Sequence, residues 1–264
     1  MYKNKKIGVV IPAHNEERFI GTVIDTIPDF IDKIYAVNDA STDKTIEIIF
    51  VKATQNKKLV VINRETNGGV GAAIISGHTR ALHDDMDVLA VMAGDGQMDP
   101  AVLNNILDPI VEGKADYAKG DRLSRQEHRI EMPPWRTFGN FLLTFLTRIA
   151  SGYWNVSDPQ DGYTAISAEI LKKLNLNRIE RGFAFENDML VRLNALGARV
   201  ADVQHPAIYR GQDSKINYFK FIIITSQILL KDFLWRIWTK YFKRSPAIIR
   251  KEESQTLSVR EKRI

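Results

Sequence analysis

Hydrophobic and polar positions along this chain follow two rhythms in turn, short unbroken apolar runs and apolar residues spaced three and four apart. Residues 6–11 form a β-rich run closed by Pro12, and in residues 16–27 Phe19, Ile20, Val23, Ile24 and Ile27 share one side of a helix. The alternation continues with strands at 33–37, 58–63, 88–93 and 116–120 and helices at about 44–54, 72–82 and 100–112. Ser41 and Asp43 suit the start of the second helix, because short polar side chains accept from the free N–H groups of a first turn. The run at 88–93 is almost wholly apolar, as a strand covered on both faces requires.

Four successive βα units predict an α/β fold, a doubly wound and mostly parallel sheet flanked by helices. Such sheets bind ligands beyond the carboxyl ends of their strands. The polar or glycine-rich loops at 12–16, 38–43, 67–71, 95–97 and 120–122 all follow strands, so the pattern brings them to one edge. The second half is less regular. It offers helices at 135–149, 168–174 and 185–196, the last stopped by Gly197, mixed turn and strand at 155–166, and a strand at 200–205. Residues 218–242 read as one long helix.

Composition changes this picture in two places. The chain has no cysteine, which excludes disulfides, thiolate metal sites and cysteine nucleophiles. Its net charge of +5 is concentrated in residues 243–264, where seven Lys/Arg and three Glu leave +4. The globular part is therefore nearly neutral and gives no nucleic-acid footprint, whereas the basic tail suits a solvated end or an anionic surface. The apolar run at 7–13 is too short for a signal peptide, and a cytoplasmic setting is expected.

Three loops carry chemistry. Asp95 and Gln97 follow the apolar strand and could offer hard oxygen ligands to Mg²⁺ or Mn²⁺, which keep positions open for substrate phosphates. The alternative is an Asp–Gly turn, with Asp99 capping the helix that starts at Pro100. Asp39 follows the second strand, where a carboxylate can accept from a ribose or base. Glycines 68, 69 and 71 let backbone approach a phosphate, and the helix start after them favours an anion.

The ordered set IPAHNEE (11–17), VNDASTDKT (37–45), NGGVGAA (67–73) and GDGQMDP (94–100) resembles the inverting family 2 glycosyltransferases of the GT-A fold, in the branch of dolichyl- and polyprenyl-phosphate sugar synthases. The resemblance covers about residues 5–217. It implies that Pro12, Ala13, Asn15 and Glu16 surround the nucleotide, that Asp39 binds the nucleoside, and that Asp95 and Gln97 hold a divalent metal on the diphosphate. It implies that Gly68 belongs to the donor loop and that Arg122 in GDR (120–122) meets phosphate. Arg136, and Arg210 and Lys215 in RGQDSK (210–215), look like later basic elements near donor or lipid phosphate, with plain surface charge as the alternative for Arg136 and Lys215. Arginine suits this role because its planar fork donates in pairs. Three positions depart from the family pattern: Ala93 stands where an acid is common, Val70 where a lysine is frequent, and Asn38 where an acid is common.

In GFAFENDML (182–190), Glu186 and Asp188 are the best general bases if a hydroxyl acceptor needs one, with capping as their alternative role. Asp158 and Asp161 in SDPQDGYTA (157–165) are second in line. A phosphate acceptor is already an anion and needs positioning instead. Within 218–242, Asp232, Arg236 and Lys240 stand four apart opposite Phe233, Leu234, Ile237, Trp238 and Tyr241. That amphipathic pattern reads as a membrane-interface helix, with packing on the catalytic domain or on a second copy in a homodimer as the alternative. The expected division is a catalytic domain at 1–217, the interface helix at 218–242 and a basic tail at 243–264. The whole reads as a transferase from a nucleotide-sugar donor to a polyprenyl phosphate, peripheral on the cytoplasmic membrane face. Rival readings are a polysaccharide transferase of the same fold, a non-catalytic sugar-nucleotide-binding protein and a nucleotidyltransferase.

Overall fold

The computed structural model describes residues 1–124, 134–206 and 218–242, and the side chains among them except at 134–138, 218–220 and 242. Seven strands make one sheet: β1 Ile7–Ala13, β2 Lys33–Asp39, β3 Leu59–Arg64, β4 Val88–Val91, β5 Tyr117–Asp121, β6 Thr164–Ser167 and β7 Val200–Gln204. Eight α-helices connect and cover them: α1 Ile20–Asp25, α2 Thr45–Gln55, α3 Val70–His83, α4 Leu103–Val111, α5 Pro134–Ser151, α6 Ala168–Lys173, α7 Phe185–Ala195 and α8 Tyr218–Ile237. The sheet order is β3-β2-β1-β4-β6-β5-β7. β1 pairs in parallel with β2 and β4, β2 with β3, and β5 with β7, while β6 runs antiparallel to both neighbours.

β6 is the element the pattern did not separate from its turns, because four residues are too few to show a period. Its insertion has a functional result. The carboxyl ends of six strands and the amino end of β6 share one edge, so the loop at 157–163 joins the loops that follow β1 to β5.

The core forms because alternate strand residues face opposite sides. Ile7, Val9, Ile11 and Ala13 of β1 pack with Ile20, Val23 and Ile24 of α1 and Leu103, Ile106 and Leu107 of α4. Val10 points the other way, among Ala73 and Ile74 of α3 and Met189 and Leu190 of α7. Each fully buried aliphatic side chain contributes roughly 1.5–3 kcal/mol. α3 lies close on the sheet because residue 77 is glycine: a Cβ there would stand 2.3 Å from a Val10 methyl.

Two expectations need correction. α1 begins at Ile20 and not near residue 16, because the backbone of residues 15–17 bonds to the loop after β2 instead of starting a helix. The amphipathic reading of 218–242 also changes. The inward stripe of α8 is Thr225, Leu229, Asp232 and Arg236, with Asp232 5% and Arg236 8% exposed, while Leu234, Trp238 and Tyr241 are 58–68% exposed. Arg236 turns inward because it donates to the carbonyls of Ala150 (2.7 Å) and Ile149 (3.1 Å) at the end of α5. The last carbonyls of a helix lack internal partners and favour a cation. Among the described residues no helix is long and apolar enough to cross a membrane.

Candidate active site

Two loops are laced together at the left of the site. Asn15, at φ +58°, donates its N–H to Ser41 Oγ (3.0 Å) and accepts at Oδ1 from Thr42 N–H (2.8 Å). Glu16 N–H donates to Thr45 Oγ1 (2.8 Å), and Lys44 N–H donates to Glu17 (3.0 Å). Pro12 and Ala13 close the end of β1, and the Pro12 carbonyl accepts from Gly94 N–H (3.1 Å), which ties this loop to the one after β4. The four residues expected around a nucleotide thus lie on one segment that is hydrogen-bonded to the chain after β2 and after β4.

Asp39, 2% exposed, has local partners. Its carboxylate accepts from Arg64 Nε (2.7 Å), Gly68 N–H (3.1 Å) and Gly69 N–H (2.9 Å). In this structure the N–H groups of Gly68 and Gly69, just before α3, point to Asp39, and within the first turn of α3 the Ala72 N–H donates to the Arg181 carbonyl (3.2 Å). Gly68 thus shapes the site at least through Asp39. Asn38 Nδ2 donates to Asn63 Oδ1 (2.7 Å), an amide pair between β2 and β3.

Asp95 and Gln97 occupy a turn past β4, with Gly96 at φ +73°. Asp95 Oδ1 accepts from Gln97 N–H (2.9 Å). Burial pushes the Asp95 carboxyl above its usual range, while the backbone bonds and the charge of Arg122 pull the other way. The charge of Arg122 thus reaches Asp95 across the strand edge. Asp99 caps the 3₁₀ turn Pro100–Val102 by accepting from Ala101 N–H (2.9 Å).

Arg122, just past β5, is flanked by two buried acids. Its Nε lies 2.8 Å from Asp158 Oδ2 and 2.9 Å from Asp161 Oδ2. Burial alone would raise the Asp161 carboxyl, but Arg122, His205 and Lys119 outweigh it and hold it well below the usual carboxylate range. His205 Nε2 lies 2.7 Å from Asp161 Oδ2. Lys119, wholly buried within β5, donates to the Asp161 backbone carbonyl and lies 3.4 Å from Glu186 Oε2. Tyr117 OH also donates to Glu186 (3.1 Å).

Glu186 and Asp188 are thus separated by their partners. Glu186 faces Lys119 and Tyr117 of β5. Asp188 accepts from Glu180 N–H (2.7 Å) and pairs with Arg192 (2.7 Å) on its own helix. Burial raises both carboxyls, offset by Lys119 and Arg192 respectively. Sequence reasoning missed Lys119 and His205. A lysine inside an apolar strand was the available signal for the first, whereas a lone histidine at a strand end gave none. The side chain of Arg136, and all of Arg210 and Lys215, lie outside the described residues.

A divalent metal fits these residues in one way. Asp95 and Gln97 offer hard oxygens, but among the described residues no group of three His, Asp, Glu or Cys side chains could hold an ion alone. Such a site needs oxygens from a substrate to be complete.

The residues at 8–175 match the model of Glycosyl transferase family 2. The chain is 31% identical over 185 residues to the UDP-N-acetylglucosamine--dolichyl-phosphate N-acetylglucosaminyltransferase of Methanococcus voltae, spanning 65% of this chain and 73% of the relative. It is 30% identical over 203 residues to the undecaprenyl-phosphate mannosyltransferase of Micrococcus luteus, spanning 75% and 82%. In fold it is similar to glucosyl-3-phosphoglycerate synthase from Mycobacterium tuberculosis, crystallised with Mn²⁺, UDP and phosphoglyceric acid, with a TM-score of 0.64, 21% identity and coverage of 88% and 78%. The architecture is that of the GT-A fold.

Proposed function

The chain belongs to glycosyl transferase family 2, and on that premise we propose that it moves a sugar from a nucleotide-sugar donor to a polyprenyl or dolichyl phosphate with inversion. The nucleoside lies against Pro12, Ala13, Asn15 and Glu16, next to the loop that Asp39 holds. The donor diphosphate lies between the Asp95–Gln97 turn and Arg122. Asp95 and Gln97 would hold Mg²⁺ or Mn²⁺ together with donor phosphate oxygens, and the ion when bound offsets charge on the leaving group. Arg122, Arg136, Arg210 and Lys215 supply further positive charge toward donor and acceptor phosphates. In the transfer, a lone pair of the acceptor phosphate oxygen forms the new bond to the anomeric carbon. The bond from that carbon to the diphosphate breaks, and the nucleoside diphosphate leaves with the electron pair.

The relatives named above act on dolichyl and undecaprenyl phosphates, which favours a phosphate over a hydroxyl acceptor. Such a nucleophile is already ionised at neutral pH and needs no general base. Glu186, held by Lys119 and Tyr117, and Asp188, held by Arg192 and Glu180, would be the bases for a hydroxyl acceptor.

A lipid acceptor requires the site to lie near a bilayer. α5 and α8 pack together, and among the described residues Phe141, Phe145 and Ile149 of α5, Leu230 and Leu234 of α8 and Trp238 just past it form an exposed apolar row. With Tyr241 at the end of the row and the net +4 of residues 243–264 after it, this face suits an anionic leaflet, and the protein is peripheral on the cytoplasmic side. A second copy of the chain covering the same face is the competing arrangement.

The reading is tested by incubating the full-length protein with labelled UDP- and GDP-sugars, polyprenyl phosphate in vesicles, and Mg²⁺ or Mn²⁺. Label entering an organic-extractable, mild-acid-labile product is expected. Label passing only to a polysaccharide, or donor binding without transfer across a panel of acceptors, would overturn it.

A further inference from the structure

We propose that His205 is a positioning residue that acts through Asp161 to keep the positive charge of Arg122 available to the leaving diphosphate, an inference that rests on the donor-site reading above. His205 stands just past β7 and is 2% exposed. Its Nε2 is 2.7 Å from Asp161 Oδ2 and its Nδ1 is 2.9 Å from the Pro206 carbonyl oxygen. A carboxylate and a carbonyl can only accept. A neutral ring has one N–H and satisfies one of them; both acceptors are satisfied only when both nitrogens carry a proton, as in an imidazolium. Burial and the charge of Arg122 oppose that charge, but the bond and charge of Asp161 and the bond to Pro206 outweigh them and hold the ring above its ordinary range.

The charge matters because Asp161 Oδ2 is shared. It lies 2.9 Å from Arg122 Nε, while Asp158 Oδ2 lies 2.8 Å from the same nitrogen. Two carboxylates on one guanidinium would leave a net negative charge where a diphosphate has to sit. His205 matches Asp161, Asp158 matches Arg122, and Lys119 is matched by Glu186. With His205 charged these three acid–base pairs balance and Asp161 is matched when a phosphate meets Arg122, while the buried Asp121 carboxylate, outside the three pairs, accepts from Leu123 and Ser124 N–H (3.0 Å each). The backbone N–H of His205 donates to the Asp121 carbonyl (3.2 Å), and the Tyr163 ring stands edge-on to the imidazole at 5.4 Å. Asp202, earlier on β7, is bonded to Ser157 N–H (2.6 Å).

A separate observation shows that the fold makes room for this pair. At Gly120, inside a fully buried strand, a Cβ would stand 2.5 Å from His205 Nε2 and 2.9 Å from Asp161 Oδ2. Any side chain there would force the pair apart.

The test compares wild type with His205→Gln, which keeps a donor toward Asp161 but not the charge, and with Asp161→Asn. Lipid-linked transfer and hydrolysis of the nucleotide sugar by water are both measured against pH, the second being independent of the acceptor. His205→Gln should lower kcat about tenfold or more in both reactions, with the donor Kd within about twofold. Wild-type kcat should fall on the alkaline side as His205 loses its proton, and His205→Gln should lack that limb. Retention of wild-type kcat, or a lower kcat with the alkaline limb intact, would overturn the inference. Wild-type hydrolysis without lipid transfer would instead count against the acceptor reading alone. If the variants do not fold, ring-nitrogen NMR of the wild type decides: two protonated nitrogens on His205 at pH 7 support the inference, and a single N–H tautomer refutes it.

Discussion

Gly69 has φ +89° and ψ 165°, a region open to glycine but costly for other residues, and a Cβ there would stand 2.7 Å from the Arg181 carbonyl oxygen. This backbone geometry lets the Gly69 N–H reach Asp39 while the next turn of α3 takes the Arg181 carbonyl. Gly69→Ala should therefore lower stability by about 1–3 kcal/mol, read as a shift in the urea midpoint, and should weaken nucleotide-sugar binding through the Asp39 contact. An unchanged midpoint would mean that this backbone position carries no constraint. The glycines were legible in the sequence as a close approach of backbone to an anion. The identity of the anion was not, because a carboxylate on the neighbouring strand and a ligand phosphate satisfy the same N–H groups. At Ala93 the reverse holds: the missing acid was plain from the chain, and the structure adds only that its N–H lies 3.1 Å from Met98 sulfur.

Among the elements, α8 departs furthest from its reading. Spacing alone separates its charged row from its apolar row but does not say which row faces the protein. Tertiary partners decided it, since the open carbonyls at the end of α5 hold Arg236 and Arg192 of α7 stacks on Trp235 at 5.0 Å. Asp232 comes inward with them, and burial, helped by the nearby Asp188 charge, pushes its carboxyl up to about 7 from an ordinary 3.8. An acid with a raised folded-state pKa binds its proton more tightly folded than unfolded. Stability from the neutral carboxyl is thus lost as pH rises from about 4 to about 7. Asp232→Asn should raise Tm relative to wild type, with a gain that grows across that window and levels off above it. A gain independent of pH would remove the ionisation argument. Long periodic elements such as α3 and α7 were legible almost to their ends. β6 was not, as four residues between turns carry no period, and α1 was shortened by loop bonds that only the folded chain can make.

At the scale of the molecule, the alternating pattern predicted the shared strand edge, and the site lies there. The inserted antiparallel β6 adds what the first 120 residues could not supply: Asp158 and Asp161, which flank Arg122. The exposed apolar row along α5 and α8 forms the second large-scale feature. Replacing Leu234, Trp238 and Tyr241 by serine should release the protein from anionic vesicles in flotation without altering Tm, because all three are exposed. If the variant instead remains on vesicles and only its oligomeric state changes, a second copy covers this face.

The central claim is that the Asp95 turn and the donor diphosphate form one catalytic site, and the most direct measurement is sugar transfer to polyprenyl phosphate by Asp95→Ala beside wild type. Asp95 is half-buried in a turn outside the hydrophobic clusters and its charge is penalised by burial, so the variant should keep its circular dichroism and Tm while kcat falls at least about 10²–10³-fold. A folded Asp95→Ala protein that transfers sugar at the wild-type rate would contradict the account.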